Sequence, residues 1–361
     1  MKILVYPSFT NPYQSLLYNE IKKNVNITIT YLDSGFYQTH YLFGLIFFPF
    51  RLIYYRLKGY SIFHLHWQHF QVPFPLTYLS YLLSTLYAIC VLAFIKLLGY
   101  KLIWTVHNIT PHERLFINDL WITKIICSFS SKLIVHSDKT KTLLVQLGTE
   151  TNKIKIIPQG NYIGVYPNQV TRNQARNYFK IPQNEFVLLF FGILRKYKGI
   201  EDLITVFKKV HNMDNTRLII AGECLDENYR KELIQLISKS NNKIIYWFEH
   251  ISDDKIQYYF NASDIVIFPF TRITNSSSVI LSFSFGKPVI APLLGGLTDL
   301  PEDVGYLYND KRDIVNMINQ AMANLRELEK KSTAALEYAR SLSWEVSAQE
   351  TYKVYRQVLK R

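Results

Sequence analysis

The sequence predicts an α/β protein built from two Rossmann-like domains in tandem. Short apolar runs of strand length alternate with stretches of helix length along the chain, which is the βαβ pattern of parallel sheets. A polar, Asn/Gln-rich segment, Tyr166–Arg176, interrupts the series and is predicted to be the linker. Because 361 residues suffice for two domains, we predict one domain over residues 1–165, a second over residues 166–343 and a closing helix over residues 344–361.

The first domain is predicted to hold six parallel strands. The turn after the first strand lacks the G-x-G-x-x-G pattern, which argues against a dinucleotide oxidoreductase. His64, His66 and His69 stand at or just past the third strand, and His107 follows the fourth. We therefore expect these side chains at the carboxyl edge of the sheet, where ligands bind. The predicted strands are Lys2–Tyr6, Asn26–Leu32, Ile62–Leu65, Lys101–Val106, Lys132–Val135 and Ile154–Ile157.

The second domain is predicted to hold another parallel sheet, again with helices between its strands. The predicted helix Val279–Phe285 carries no charge, so we expect other elements to cover it on all sides. The predicted strands are Phe186–Phe191, Arg217–Ala221, Ile244–Phe248, Asp264–Phe268 and Val289–Ala291. The other predicted helices are Ile200–His211, Tyr229–Ser238, Ser252–Ala262, Ile314–Leu328, Ser332–Arg340 and Trp344–Val358.

A serine run, Ser276, Ser277 and Ser278, stands where the uncharged helix is predicted to begin. Free N–H groups and the positive end of the helix dipole meet at such a start, and hydroxyl groups add donors, so this segment is suited to a diphosphate. Gly295 and Gly296 follow the next strand and allow the backbone to approach a ligand closely. An ordinary serine cap and an ordinary turn explain the same residues, and both interpretations stay open.

The composition limits the partners and the compartment. The net charge of +13 and the pI near 9.4 suit an anionic membrane or a phosphorylated small molecule. Nucleic acid is not expected, because the chain has no Lys/Arg run and no zinc-ligand spacing. Three widely separated cysteines indicate a reducing compartment. The N-terminus enters a strand without a signal-peptide pattern, so we expect a cytoplasmic protein.

Two apolar segments of the first domain suggest contact with a membrane. Phe74–Ile95 has 22 residues and no charge, which is enough to span a bilayer. The strands on either side of it should belong to one sheet, so we reject a spanning helix. A buried crossover helix and a helix lying in the membrane surface remain open. Leu42–Tyr60 interleaves aromatic and basic residues, which favours peripheral binding to anionic lipid on the inner face of the cell membrane.

Five short motifs carry a resemblance to a known family. They are FFGILRKYKGIEDLI (190–204), LIIAGE (218–223), YYFNASDIVIFPF (258–270), FGKPVIAP (285–292) and TVHN (105–108). In order and spacing they resemble glycosyltransferases of the GT-B fold, near glycosyltransferase family 4 and the bacterial polysaccharide-biosynthesis enzymes. The resemblance implies a cleft between two Rossmann-like domains that close on each other, and a C-terminal helix from Trp344 that crosses back to the first domain.

The resemblance implies transfer of a sugar from a nucleotide-diphosphate sugar to a glycan or lipid-linked saccharide acceptor in surface polysaccharide biosynthesis, without a metal or another cofactor. Arg195 and Lys198 would stabilise the charge of the leaving diphosphate. His107 would orient the sugar or the acceptor, or act as a base if the reaction inverts. The donor-binding residues implied are Gly192, Gly222, Glu223, Ile251, Ser276, Ser277, Ser278, Gly295 and Gly296. The acceptor-binding residues implied are Thr10, Asn11, His66 and Glu113.

The chain departs from the family pattern at three positions. The two family glutamates fall on Ile273 and Leu281, so nothing is assigned to hold the nucleotide ribose. The family arginine falls on Ile193, and Arg195 is expected to replace it. Asp119 and Glu113 are only weak candidates for a carboxylate base, which favours retention of the anomeric configuration.

Two other functions remain open. His64-x-His66 after a strand resembles the metal pair of amidohydrolase barrels, which would suit a metal-dependent hydrolase, although no later set of ligands accompanies it. The missing glutamates suit a non-catalytic sugar-nucleotide-binding partner subunit.

Overall fold

The computed structural model describes residues 1–8, 12–33, 41–70, 77–111, 113–210, 213–240 and 243–360. The chain divides into two compact units. The N-unit comprises Met1–Gly160 and Ser343–Arg361, and the C-unit comprises Asn161–Leu342. The division falls between residues 160 and 161, where the sequence suggested 165 and 166, and the C-terminal helix, Trp344–Leu359, is grouped with the first sheet.

The N-unit is built on a parallel sheet of six strands within the described residues. They are β1 (Lys2–Tyr6), β2 (Thr28–Tyr31), β3 (Ile62–Leu65), β4 (Lys101–Thr105), β5 (Lys132–Val135) and β6 (Ile154–Ile156). Their order across the sheet is β2-β1-β3-β4-β5-β6. All six predicted strands are confirmed to within two residues. Both faces of the sheet are covered, which is why most of these strands are nearly continuous apolar runs.

Helices cover the two faces of the N-unit sheet. They are α1 (Pro12–Asn24), α2 (Tyr41–Leu57), α3 (Tyr78–Leu97), α4 (Asp119–Phe129), α5 (Asp138–Gln146) and the C-terminal helix. Side chains of β1 alternate between two cores. Ile3 and Val5 pack with residues of α1 and the C-terminal helix. Leu4 and Tyr6 pack with residues of α2, α3 and α4.

Helix α3 is, within the described residues, the helix long and apolar enough to cross a membrane by length and composition. It connects β3 to β4, which pair in parallel, with Phe63 opposite Leu102. Its two ends therefore return to one sheet, as the sequence predicted, and α3 is a crossover helix. One face packs on the sheet through Ala88, Val91 and Leu92, and the other face is exposed.

The C-unit is built on a second parallel sheet. Its described strands are β7 (Phe186–Phe191), β8 (Thr216–Ala221), β9 (Ile244–Trp247), β10 (Ile265–Ile267), β11 (Val289–Pro292) and β12 (Gly305–Tyr308), in the order β12-β11-β10-β7-β8-β9. Its helices are α6 (Arg172–Tyr178), α7 (Ile200–Phe207), α8 (Glu227–Ser238), α9 (Ile256–Ala262), α10 (Ser277–Ser284), α11 (Ile314–Ala323) and α12 (Leu325–Ser341). Five strands were predicted. The edge strand β12 was missed because it opens on Gly305, and glycine is depleted in strands.

The predicted linker was wrong for its second half. Arg172 already belongs to α6, and Arg176 has a fully buried side chain. The Arg176 guanidinium donates to a carboxylate oxygen of Asp264 at 2.8 Å and to the carbonyl of Glu185 at 2.7 Å. These charge-assisted hydrogen bonds of the buried Arg176 guanidinium hold α6 against the sheet. The polar composition of this segment therefore reflects a structural ion pair.

The predicted helix Ile314–Leu328 was also too long. The chain breaks at Asn324, where α11 ends and α12 begins. The Asn324 side chain accepts a hydrogen bond from the Glu327 N–H at 3.0 Å, which caps α12. Asparagine competes well with helical backbone bonds, so this position separates two helices.

Candidate functional site

In the C-unit, two glycines follow the adjacent strands β7 and β8. Gly192 and Gly222 both have positive φ, and the Gly192 N–H donates to the Ala221 carbonyl at 3.0 Å. A Cβ on Gly222 would lie 2.1 Å from the Gly192 carbonyl oxygen. Only glycine fits such an approach, so the two strand ends meet backbone to backbone. The predicted donor-binding residue Glu223 is half-buried, and its carbonyl accepts from the Leu194 N–H at 2.8 Å.

A buried lysine and a serine converge over Gly192. A Cβ on Gly192 would lie 3.0 Å from Ser278 Oγ and 3.2 Å from Lys198 Nζ. Lys198 lies in the short turn of 3₁₀ helix Lys196–Lys198 and is only 9% exposed. Three predicted site residues from separate segments are thus brought together at one point of the sheet edge.

The charge of Lys198 is held in an unfavourable environment. Burial, together with the neighbouring guanidinium of Arg195, lowers the pKa of its ammonium to about 8. Among the described residues, no carboxylate raises this pKa. An anion placed beside Lys198 and Arg195 would relieve both effects, which suits this edge to a phosphate group.

The serine run has two different roles. Ser276 is the N-cap of α10, and its Oγ accepts from the Val279 N–H at 3.3 Å. Ser277 is the first helical residue, and Ser278 turns its hydroxyl toward Gly192. The helix start is confirmed where the serines predicted it. The capping interpretation therefore holds for Ser276, while Ser278 supplies a hydroxyl at the site.

The glycine pair after β11 lies against backbone carbonyl groups of the loop that precedes the serine run. A Cβ on Gly295, which has positive φ, would lie 2.2 Å from the Ile273 carbonyl oxygen. The Gly296 N–H donates to the Thr274 carbonyl at 2.7 Å. The close approach that the sequence suggested for a ligand is thus made to the loop before the serine run. Gly295 and Gly296 hold that loop in place.

The predicted donor-binding residue Ile251 lies in the wall of a separate cavity. The cavity has a volume of about 330 Å³ and is walled by β9, the loop after it, α6 and α9. Trp247, His250 and Lys255 share this wall with Ile251. Neither Lys198 nor Ser278 lines the cavity.

In the N-unit, three neighbouring strands each end in a histidine. His66 follows β3, His107 follows β4 by one residue, and His136 follows β5. His66 Nδ1 lies 3.1 Å from His107 Nε2, and the His107 and His136 ring centroids are 5.3 Å apart. The carboxyl edge of this sheet is therefore a row of imidazoles, as parallel strands that end in register would place them.

Aromatic rings enclose this histidine row. The Trp67 ring stacks on His107 with centroids 4.5 Å apart, and the Tyr13 ring meets His107 edge-on at 4.6 Å. Tyr13 also contacts Trp344 at the start of the C-terminal helix, at 5.3 Å between centroids. His136 was not predicted as a site residue. The sequence Val135-His136-Ser137 after a strand repeats the pattern of Val106-His107-Asn108 and could have identified His136.

A deeper layer of hydrogen bonds lies next to the row. The Tyr18 hydroxyl lies 2.7 Å from both His66 Nε2 and His64 Nδ1. His64 Nδ1 is also 2.6 Å from the Tyr355 hydroxyl, and His64 Nε2 is 2.8 Å from Thr105 Oγ1. All five side chains are buried.

The histidines of this cluster are held neutral. Burial lowers the pKa of His64 to about 3 and that of His136 to about 4. Burial also lowers the pKa of His66 and His107 well below the usual range, and the neighbouring imidazoles add to the effect. At neutral pH the cluster presents uncharged donors and acceptors, which suit the hydroxyl groups of a sugar better than an anion.

The ring nitrogens of His64 and His66, the pair considered for a metal-dependent hydrolase, are bonded within the protein. Every ring nitrogen of these two histidines lies within hydrogen-bond distance of a tyrosine, a threonine or His107. Across the described part of the chain, no three His, Cys, Asp or Glu side chains are placed to hold a metal ion.

The other predicted acceptor residues are less informative. Thr10 and Asn11 lie outside the described residues. Glu113 is exposed, and His66 is buried at 1% exposure with both ring nitrogens bonded. Asp119 accepts from the backbone N–H groups of Leu115 and Phe116, so its carboxylate holds the start of α4.

Comparison with known proteins gives a family match in the C-unit. Residues 171–341 match the family model described as Glycosyl transferases group 1. The matched range contains Gly192, Lys198 and Ser278.

Curated relatives also match the chain. The chain is 23% identical over 279 residues to a GDP-mannose:glycolipid 4-beta-D-mannosyltransferase of Xanthomonas campestris pv. campestris, covering 74% of this chain and 73% of that protein. It is 28% identical over 177 residues to the capsular polysaccharide biosynthesis glycosyltransferase CapM of Staphylococcus aureus, covering 48% of this chain and 46% of that protein.

Among solved structures, Anabaena Alr3699/HepE in complex with UDP and glucose has the same fold. It has a TM-score of 0.77 and 18% identity, covering 99% of this chain and 100% of that chain. At this identity the likeness establishes the fold alone. The predicted GT-B fold with two Rossmann-like domains is confirmed.

Proposed function

We propose that this chain is a glycosyltransferase that uses a nucleotide-diphosphate sugar as donor. Its residues 171–341 match the family model described as Glycosyl transferases group 1. The acceptor is a glycan or a lipid-linked saccharide, and the product belongs to surface polysaccharide biosynthesis. The observation that carries the donor half is the buried Lys198 ammonium beside Ser278 and Gly192. A related fold with UDP and glucose bound, in Anabaena Alr3699/HepE, supports the same class of donor.

The proposed chemistry needs negative charge to be stabilised as the glycosidic bond breaks. The bond electrons go to the leaving diphosphate, whose charge the Lys198 ammonium and the Arg195 guanidinium would offset. The Ser278 hydroxyl would donate a hydrogen bond to a phosphate oxygen. These cations supply what a metal supplies in other transferases, so we propose a reaction that needs no metal and no other cofactor.

The acceptor half rests on the N-unit histidine row. Neutral imidazoles and flanking aromatic rings match the hydroxyl groups and the apolar faces of a sugar. A relative named as acting on a glycolipid and one named for capsular polysaccharide biosynthesis support a saccharide carried on lipid or within a growing glycan. His107 is the proposed residue that contacts the reacting sugars.

The lipid-linked acceptor also fits an apolar surface on the N-unit. Leu57 at the end of α2 is 83% exposed, and Leu97 at the end of α3 is 81% exposed. The two helix ends lie side by side, since Arg56 Nε donates to the Leu98 carbonyl at 2.7 Å. Lys58 and Lys96 flank these leucines in sequence. We propose peripheral binding of this face to anionic lipid on the cytoplasmic side of the membrane.

A thermal-shift screen tests the donor. The ligands are UDP, GDP, CMP, dTDP and their common sugar conjugates, with EDTA as the control. A nucleotide that binds the folded C-unit stabilises it by about 2.7 kcal/mol at a hundred-fold excess over its Kd. We expect one nucleotide to raise the melting temperature, with EDTA having no effect. No shift with any nucleotide, or a fall in melting temperature with EDTA, would contradict the proposal.

A further inference from the structure

We infer that His136 binds a hydroxyl group of the saccharide acceptor through the lone pair on its Nε2. His136 would then help to determine acceptor specificity, since it would favour a saccharide whose hydroxyl group reaches this nitrogen. That the ligand is the acceptor rests on the proposed function. The proton position of His136 and the state of its Nε2 rest on the geometry of the N-unit alone.

The proton of His136 is placed by a backbone carbonyl. His136 Nδ1 lies 2.8 Å from the carbonyl oxygen of Ile157, which can only accept a hydrogen bond. Nδ1 therefore carries a proton and donates it to this oxygen. The ring is uncharged at neutral pH, because burial lowers its pKa to about 4. A neutral imidazole has one N–H, so Nε2 carries a lone pair and no proton.

The sheet fixes the direction of this ring. Ile157 directly follows β6, and its N–H donates to the carbonyl of Val135, the last residue of β5, at 2.8 Å. Ile157 thus bonds through its N–H to the residue before His136, and through its carbonyl to the His136 side chain. Because Nδ1 and Nε2 lie on different sides of an imidazole ring, Nε2 points away from Ile157.

Nε2 of His136 is buried without a hydrogen-bond partner. No donor in the ranges that the structure describes reaches it. At the neighbouring histidines, both ring nitrogens of His66 and Nε2 of His107 lie within hydrogen-bond distance of other side chains. A buried acceptor without a donor costs free energy, and native proteins contain few of them. At the carboxyl edge of a parallel sheet, such a nitrogen points to a ligand that supplies the donor.

The surroundings of His136 favour a hydroxyl group as that donor. A fully ionised phosphate has no proton to donate. A cationic donor would need a negative partner, and no acidic side chain in the described ranges alters the pKa of His136. The ring centroids of Tyr13 and His107 lie 5.4 Å and 5.3 Å from that of His136. Rings beside a few well-placed polar atoms are typical of small-molecule sites, and they match the C–H and O–H groups of a saccharide.

His136 is expected to recognise this hydroxyl group without taking its proton. An imidazolium at this position would be buried and would lie close to His66 and His107, whose pKa values His136 helps to lower. Protonation is therefore unfavourable, whereas accepting a hydrogen bond adds no charge. The hydroxyl group keeps its proton, and loss of this contact should weaken acceptor binding with little change in kcat.

Nitrogen-15 NMR of the full chain tests the geometry. The protein is labelled with ¹⁵N-histidine, and the signals that disappear in His136→Gln are assigned to His136. We expect a protonated Nδ1 and an unprotonated Nε2, whose chemical shift is that of an imidazole nitrogen without a hydrogen bond. A proton on Nε2 would overturn the inference. So would an Nε2 that shows a hydrogen-bonded shift before any saccharide is added, because water would then already occupy the position.

A titration with methyl glycosides tests the ligand. The probes are the methyl glycosides of glucose, galactose, mannose and N-acetylglucosamine, together with their monodeoxy analogues. We expect at least one glycoside to move the His136 Nε2 resonance to the hydrogen-bonded value and to bind about ten-fold more tightly than one of its deoxy analogues. If no glycoside moved this resonance, or if every deoxy analogue bound as well as its parent, the inference would be wrong.

A matched pair of amide variants separates recognition from a structural role. His136→Asn keeps a side-chain N–H near the position of Nδ1 and has no atom near that of Nε2. His136→Gln extends to the position of Nε2 and gives up the N–H that binds the Ile157 carbonyl. We expect His136→Asn to weaken glycoside binding about ten-fold and His136→Gln to weaken it about three-fold or less, with nucleotide binding unchanged in both.

The order of the two variants carries the result. A purely structural role for His136 predicts the reverse order, because only His136→Gln breaks the contact with the Ile157 carbonyl. Circular dichroism shows whether each variant is folded. If neither variant folds, the wild-type comparison of glycosides with their deoxy analogues still tests the inference.

Transfer assays separate this inference from the proposed function. A chain that binds a glycoside at His136 but transfers no sugar from any nucleotide sugar would refute the proposed function and leave this saccharide site intact. A chain that transfers sugar, with an Nε2 resonance that no glycoside moves, would refute the inference and leave the transferase intact.

Discussion

The carboxyl edges of the two sheets follow the same plan of strand, turn and helix but carry different groups. The C-unit edge joins two glycines that meet backbone to backbone, a serine hydroxyl and a buried ammonium. The N-unit edge joins three imidazoles held neutral by burial and enclosed by aromatic rings. One architecture thus offers an anion site in one unit and a site for uncharged hydroxyl groups in the other.

The two edges differ in whether their buried ionisable side chains are charged or neutral. Within the part of the chain that the structure describes, the buried Lys198 ammonium has no carboxylate partner, which is costly unless an anion approaches it. The buried imidazoles avoid that cost by staying neutral, and His66 and the deeper His64 both lie within hydrogen-bond distance of the Tyr18 hydroxyl. Under the proposed function, this difference in charge places the donor diphosphate at the C-unit edge and the acceptor sugar at the N-unit edge. Four predictions test this division.

The largest effect is expected at the ammonium. Lys198→Ala should lower kcat/KM about a hundred-fold, because removing one preformed partner of developing negative charge typically costs this much or more. Lys196→Ala is the matched control, since Lys196 lies in the same turn but is exposed and pairs with Glu232 at 3.3 Å. Initial rates with the donor identified by thermal shift measure both. Equal losses in the two variants would show that this turn contributes only general positive charge.

The second prediction concerns stability of the N-unit in acid. His64 and His136 have folded pKa values of about 3 and about 4, below the usual unfolded value near 6.5. As pH falls below about 6.5 the unfolded chain binds protons that the folded chain does not, so the free energy of unfolding falls. The loss should approach about 2 kcal/mol for each of these histidines by about pH 5.

Calorimetry between about pH 7 and pH 5 measures this effect. The transition that nucleotide does not raise is assigned to the N-unit, and it should move to lower temperature as pH falls. Carboxylates such as Glu185, whose pKa is lowered by Arg217 and Lys243, lose their contribution only below their unfolded pKa near 4.5, outside this window. His136→Gln should reduce the slope. If the melting temperature of the N-unit did not change over this pH range, the prediction that the folded histidines stay neutral would be contradicted.

Much of the fold and part of the site were accessible from the sequence. The alternation of short apolar runs with helix-length stretches predicted eleven of the twelve described strands. It did so because buried parallel strands are short, continuous apolar runs. Gly192, Lys198 and Ser278 were predicted as site residues, and the fold brings them together. Each follows a strand or begins a helix, and such positions at one sheet edge are predictable from local pattern.

The rest depends on contacts between distant parts of the chain. Tyr18 lies on α1 and Tyr355 on the C-terminal helix, and no local pattern shows that both meet His64. Arg176 was placed in a linker because polar composition does not distinguish a solvated arginine from one buried against Asp264. Gly295 was assigned to a ligand, although its neighbour is the Ile273 carbonyl. In each case the partner lies far away in sequence.

The third prediction separates the two edges kinetically. His107→Ala should lower kcat about ten-fold, as expected for loss of one hydrogen bond made to the reacting sugars. The donor KM should stay near its wild-type value, because the proposed donor groups belong to the C-unit. Steady-state rates at varied donor and saturating acceptor measure both constants. A raised donor KM with unchanged kcat would place His107 in donor binding and break the division between the edges.

The smallest effect is expected at the apolar face of the N-unit. Leu57→Ser should lower binding to anionic vesicles about three-fold, because an interfacial leucine gains only part of the ~1.5–3 kcal/mol of full burial. Leu225→Ser is the control, since Leu225 is similarly exposed but belongs to the C-unit. Co-sedimentation at low and high salt measures the bound fraction, and salt should weaken binding of both variants through the shared basic residues. If Leu225→Ser weakened binding as much as Leu57→Ser, the apolar face of α2 and α3 would not be the surface that meets the lipid. The acceptor would then have to reach the histidine row from solution.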